Sequence, residues 1–239
     1  MRSGIKRRVS AVLMFGIVLL PLPGLVSCAP SPPSPTTQID WVNFVQFGGI
    51  TYLANALHVG RSLQTSDLGP EFAKVGFRLE GNVHDPGYRT KDGDAAFLAA
   101  GTSVYRVKGY APTFRLAAHS NTGLLLFEAD TNPKAKTGAD LLDLAQKVGY
   151  IGVNSEQDVT TELASIKDPQ QVTRLVTMVL EAPVDQTSMS QGGTRYFLAF
   201  HLTDGTAVTR VYWLNSGELA RGILLPKAFR TAVEQALKG

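Results

Sequence analysis

The sequence predicts an α+β protein, in which a small antiparallel β-domain precedes an α+β domain with a roughly five-stranded sheet and two or three helices on one face. Three observations carry that expectation. Short β-rich runs separated by turn-forming residues fill the first half of the body, residues 41–130. Helical periodicity begins only after a polar, proline-containing segment, residues 131–137, which reads as a linker to the second stretch, 138–239. Within that second stretch Asp204-Gly205 separates two apolar, β-rich runs, and Asp-Gly in that setting is a strong local signal for a hairpin.

In the first half strands are expected at 41–47, 51–53, 75–79, 103–108, 113–118 and 124–128. Gly48-Gly49 divides the first two, and the turn-forming stretches 109–112 and 120–123 divide the last three. Pro70 suits the first position of a single helical turn over 67–72, where its missing N–H costs little.

Three helices are expected in the second half. Residues 138–148 place Leu141, Leu144, Ala145 and Val148 at helical spacing, with Gly149 where a left-handed C-cap is wanted. Asp168 caps the next, Pro169 fits its first position, Gln171 completes a box-like start, and Val172, Leu175, Val176 and Val179 make one apolar stripe before Pro183. Pro226 opens the last, with Phe229, Ala232, Val233 and Ala236 on one face.

Between the second and third helices, strands at 195–202 and 207–214 form the hairpin, with a two-residue type I′ turn at Asp204-Gly205. That loop pairs Tyr196 with Trp213, Leu198 with Val211, Phe200 with Thr209 and Leu202 with Ala207 on the core face. The opposite face carries Phe197 against Tyr212, Ala199 against Arg210 and His201 against Val208. Phe197, His201, Arg210 and Tyr212 are therefore the candidate ligand face, an aromatic pair beside a cation suited to a polar-aromatic or peptide ligand. Strands at 150–153, 162–166 and 219–224 complete the five-stranded sheet.

The first 27 residues carry Arg2, Lys6, Arg7 and Arg8, no acidic residue, and an apolar run, 11–20, closed by Pro21 and Pro23. A membrane-spanning helix needs about 20 apolar residues, so this run reads as an export signal that is removed. Leu25-Val26-Ser27-Cys28 follows, and Cys28 is the single cysteine among 239 residues. The stretch resembles the bacterial lipobox. The resemblance implies cleavage before Cys28 and a diacylglycerol thioether on its sulfur, since a thiol supplies the nucleophile. Residues 28–40 include Pro30, Pro32, Pro33 and Pro35, and such segments prefer extended polyproline II at about 3.1 Å per residue, a stiff tether. The expected location is the extracytoplasmic face of a cell membrane, held by lipid; Ala29 gives no retention cue of the aspartate kind, so an outer membrane is permitted.

Four of the 23 basic residues fall in the signal, leaving 19 against 20 acids, so the remaining chain sits near −1. No basic stripe is present and no nucleic-acid partner is expected. The stretches "IKDPQQVTRLVTMVLEAP", "RYFLAFHLTDGTAVTRVYWL" and "GTSVYRVKGYAPTFRLAA" resemble the body of uncharacterised bacterial envelope lipoproteins, which implies a compartment and no activity.

Catalytic signatures are weak. His58, His84, His119 and His201 share no metal-ligand spacing, and Asp85, Asp92 and Asp94 lack the alternation and terminal glutamate of an EF-hand, so neither metal nor cofactor is expected. G-x-S-x-G is absent; Ser3-Gly4-Ile5-Lys6 and Lys136-Thr137-Gly138 match penicillin-recognising strings, but the first lies in the signal. The expectation is a non-catalytic binding module for an envelope protein or glycan. The alternative is an envelope hydrolase whose catalytic residues are scattered along the chain.

Overall fold

The computed structural model describes residues 39–54, 59–188, 190, 192–220 and 222–239. Cys28, the expected signal, most of the expected tether and His58 lie outside them. In chain order the elements are β1 (Phe44–Phe47), β2 (Ile50–Ala54), β3 (Leu68–Lys74), β4 (Phe77–Arg78), β5 (Asp94–Ala95), β6 (Ser103–Val107), β7 (Arg115–Ser120), β8 (Gly123–Thr131), β9 (Val148–Asn154), β10 (Glu162–Ile166), α1 (Pro169–Glu181), β11 (Arg195–Leu202), β12 (Ala207–Trp213), β13 (Glu218–Leu219), β14 (Ile223–Leu224) and α2 (Lys227–Ala236).

This architecture corrects the expected fold class. Instead of a small β-domain and an α+β domain with a five-stranded sheet, the protein is mostly β. Eight strands form one sheet in the order β3-β6-β7-β8-β2-β1-β5-β4, and six form another in the order β10-β9-β11-β12-β13-β14. The described residues fall within one compact unit. In the expected linker, Ala135 is buried and Thr137 bridges to Pro183.

Three local readings explain the difference. Residues 68–74 pair with β6 as an edge strand rather than opening a helix, and an edge tolerates Pro70 because its missing N–H faces no partner; the register slips between Leu68 and Glu71. Residues 138–148 form only a 3-10 turn, Gly138–Asp140, closed by Asp140 accepting from the Thr137 backbone N–H at 3.0 Å. Gln146 then turns left-handed (φ 59°), which ends any helix there, while Leu141 and Leu144 still reach the core. The expected strand at 219–224 splits into β13 and β14 because Ala220 (φ 51°) and Gly222 (φ 83°) fold it back on itself.

Helix α1 follows its sequence. Asp168 Oδ1 accepts from the Gln171 N–H at 2.7 Å, Pro169 occupies the first turn, and Val172, Leu175, Val176 and Val179 are buried. They join Phe229, Ala232 and Val233 of α2 and Ile151, Val153, Leu198, Phe200, Val208 and Tyr212 of the second sheet in one hydrophobic cluster. The first sheet has its own cluster, built on Val45, Tyr52, Val104, Leu116 and Phe127.

The β11–β12 hairpin corrects the expected register. Tyr196 pairs Tyr212, Phe197 pairs Val211, Leu198 pairs Arg210, Phe200 pairs Val208 and His201 pairs Ala207, one residue away from the two-residue-turn prediction. The loop holds three residues, 203–205: the Leu202 N–H donates to Thr206 O at 2.8 Å, and only Gly205 (φ 85°) is left-handed. A type I turn closed by a left-handed glycine satisfies Asp-Gly as well as type I′ does. Because side chains alternate with period two, the slip reverses which residues of β12 face the core, and β11 keeps its expected face.

Candidate functional site

Two tertiary constellations arise from this fold, and the first is the seam between the sheets. The β11–β12 loop is fastened to the first half of the chain by Asp204. Its Oδ1 accepts from the Thr206 N–H at 2.8 Å and hydroxyl at 2.7 Å, and its Oδ2 accepts from the Tyr110 hydroxyl at 2.7 Å. Arg61 donates from Nε to Asp204 O at 2.6 Å. Burial pushes the Asp204 carboxyl up, but hydrogen bonds from Tyr110 and Thr206 outweigh it, and the group ends below the usual carboxylate range. Burial and the bond to Asp204 together push the Tyr110 hydroxyl up to about 12.

Beneath the loop lies Arg115 of β7, fully buried. It donates to Glu128 Oε1 at 2.6 and 3.0 Å, to Thr206 Oγ1 at 2.9 Å and to Ala207 O at 3.0 Å. Its guanidinium carbon lies 4.6 Å from the Tyr110 ring centre and 5.0 Å from that of Phe114. Arg210 of β12 donates to the other oxygen of Glu128 at 2.7 Å and to Ala129 O at 3.3 Å. Glu128 therefore bridges an arginine from each sheet.

Next to this bridge a cleft of about 640 Å³ opens between the end of β8 and the strands β12 and β13. Trp213, with the Arg195 guanidinium carbon 5.6 Å from its ring centre, forms part of the wall, and Leu53, Leu141 and Val211 supply apolar surface. Thr209, also in the wall, has a buried hydroxyl oxygen with no hydrogen-bond partner in the protein. Glu218 accepts from Ser188 Oγ at 2.8 Å, from the Ser190 hydroxyl and N–H, and from the Gly222 N–H at 2.9 Å. Burial pushes Glu218 up; the Ser190, Ser188 and Gly222 donors bring it net below its ordinary value. Asp185, bonded by the Thr187 hydroxyl and N–H, is also held low.

The second constellation lies on the second sheet, away from its hydrophobic cluster. The His201 ring stacks on Tyr150 at 4.0 Å with 6° between planes. Burial pushes His201 below its ordinary value, while Glu162 pulls the other way.

The four residues of the expected ligand face do not share a face. Phe197 and His201 lie on one side of β11, with Val211 and Ala207 opposite them. Tyr212 instead pairs Tyr196, is 0% exposed, and packs edge-on against Phe229 at 5.6 Å. Arg210 faces the seam through its bonds to Glu128 and Ala129. The correction follows from the three-residue loop, which turns Tyr212 inward.

The acidic loop is consumed locally: Asp85 accepts from the Gly87 N–H, Asp92 from the Gly49 N–H, and Asp94 from the Tyr88 hydroxyl and Lys91 N–H. Among the described residues no three His, Cys, Asp or Glu side chains gather to hold a metal ion. The seam escaped sequence reasoning, although one signal existed: Arg115 stands in an otherwise apolar run, "TFRLAA", where a charge needs a buried partner. No family model, curated protein or solved structure matches the chain.

Proposed function

We propose that the protein is a lipid-anchored extracytoplasmic module, attached through Cys28, whose seam cleft binds a segment of an envelope glycan without turning it over. The observation that carries the cleft reading is Trp213 with Arg195 over its ring, set beside hydrogen-bonding side chains in a concave site of about 640 Å³. An aromatic face takes the apolar side of a sugar ring, and the surrounding polar groups take its hydroxyls. Glycoside hydrolysis by two carboxylates needs one of them poised as a proton donor. Here Glu218 and Asp185 are held low by hydrogen bonds and Glu128 is tied to two arginines, an environment that favours holding over cutting. Cys28 in Leu25-Val26-Ser27-Cys28 and the proline-rich tether after it support the anchoring half of the reading.

The test is titration of the full chain, in detergent micelles, with solubilised cell-wall glycan fragments, followed by tryptophan emission. Binding is expected to change the emission, and Trp213→Phe to abolish the change. Arg195→Ala is expected to weaken binding about tenfold, roughly 1.4 kcal/mol. Unchanged affinity in both variants would refute the cleft assignment, and release of shortened fragments by the unaltered protein would establish the hydrolase instead.

A further inference from the structure

Gly152 of β9 is the floor of a small polar convergence. A Cβ placed on it would lie 2.8 Å from Glu162 Oε2, 2.9 Å from Asn154 Oδ1 and 3.4 Å from His201 Nε2. Three strands bring these atoms together: β9 supplies Asn154, β10 supplies Glu162 and β11 supplies His201, with Gly152 directly opposite Ala199 and Ser165. A side chain at position 152 would fill the space they surround.

Two of the three atoms are left without a partner. Asn154 is 2% exposed and its Oδ1 has none, although its Nδ2 is fixed by donating to Val159 O at 2.6 Å, which orients the oxygen toward the convergence. His201 Nε2 is buried and also without a partner, and its ring is held in place by the stack on Tyr150. Burying such atoms unpaired costs about 1–3 kcal/mol each, so the arrangement is stabilised by whatever satisfies them. Glu162, the third, is exposed, which leaves a path from solvent.

We propose that Glu162, Asn154 and His201 form a binding site for a divalent transition-metal ion of the zinc type. The donor set is one carboxylate oxygen, one amide oxygen and one imidazole nitrogen. Imidazole favours zinc and its neighbours over calcium or magnesium, and the carboxylate neutralises part of the ion's charge. Water completes the coordination on the exposed side. This site is separate from the seam cleft, and its success or failure leaves the glycan reading untouched.

The experiment is equilibrium dialysis of the full chain in detergent micelles against zinc ion, with bound metal quantified by mass spectrometry. The unaltered protein is expected to retain one zinc per chain. Glu162→Gln, on an exposed side chain that the fold does not need, should lower the affinity at least tenfold, and His201→Gln should do the same. Gly152→Ala should also lower it by filling the space, and a thermal melt of each variant in the absence of zinc confirms that it is folded. Cobalt substitution should give a visible absorption band that His201→Gln removes. Retention of less than one zinc per chain, or zinc retained equally by folded Glu162→Gln and His201→Gln, would overturn the proposal and leave the convergence as a site for ordered water.

Discussion

Arg115 stands directly opposite Glu128 in the pairing of β7 with β8, and the two close a salt bridge of 2.6 Å with side chains 0% and 4% exposed. Removing Glu128 strands Arg115 in a low-dielectric interior, and removing Arg115 leaves Glu128 held by Arg210 alone; breaking such a buried pair typically costs about 3–5 kcal/mol. Arg115→Met is therefore expected to destabilise by about that amount, measured by urea unfolding. Glu128→Gln should cost more, because it takes the carboxylate from both Arg115 and Arg210, and adding Arg115→Met to it should recover part of that loss by removing the fully buried cation. A double variant less stable than the two losses combined would contradict the pairing.

Stability should depend on acid through the carboxylates of the seam. Asp204 and Glu218 are both held below their ordinary values of 3.8 and 4.5, so the folded protein binds fewer protons than the unfolded chain. Their contribution is fully present above those ordinary values and is lost as pH falls through the lower folded ones. Thermal melts are expected to be flat from pH 7 to about pH 5 and to drop below it. Asp204→Asn should be less stable at pH 7 and show a shallower fall; an equally steep fall in that variant would show that Asp204 does not contribute.

The close approach of Gly138 to α1 makes a sharper prediction. A Cβ there would sit 2.0 Å from Val179 O, so Gly138→Ala must move backbone against helix. Overpacking of this kind typically costs 1–3 kcal/mol. Gly149→Ala is the control, since its Cβ would meet only His201 O at an ordinary 3.6 Å. Thermal unfolding should separate the two variants, with Gly138→Ala clearly the lower.

Lipid attachment is tested at one atom. Cys28→Ser is expected to accumulate as unprocessed chain that takes up no labelled fatty acid in the native host. Incorporation of label into that variant, or an unmodified Cys28 with Met1 retained in mass spectra of the purified protein, would refute the anchor.

The parts of this fold that the sequence reveals are those decided within a few residues. The α1 start is one, because Asp168, Pro169 and the stripe from Val172 to Val179 act locally. The inward face of β11 is another, since alternation alone assigns Leu198, Phe200 and Leu202. What local pattern misses is set by distant partners. Pro70 looks helical until β6 makes its strand an edge, and Tyr212 looks outward until one extra loop residue reverses its strand. The cleft draws Glu128, Asp185, Arg195, Thr209 and Glu218 from five separate stretches, so no spacing along the chain encodes it. The same holds for Asn154, Glu162 and His201, which only strand register brings together.

Hairpin tips are usually the first choice for inserting a tag or a fluorophore, because exposed turns tolerate added residues. The 203–205 tip is a poor choice here: Arg61, Tyr110 and Arg115 all reach it or its flank, so an insertion would loosen one half of the molecule from the other. The turn between β7 and β8, where Ser120 and Thr122 bond only within their own loop, is where a reporter can be grafted without disturbing either sheet.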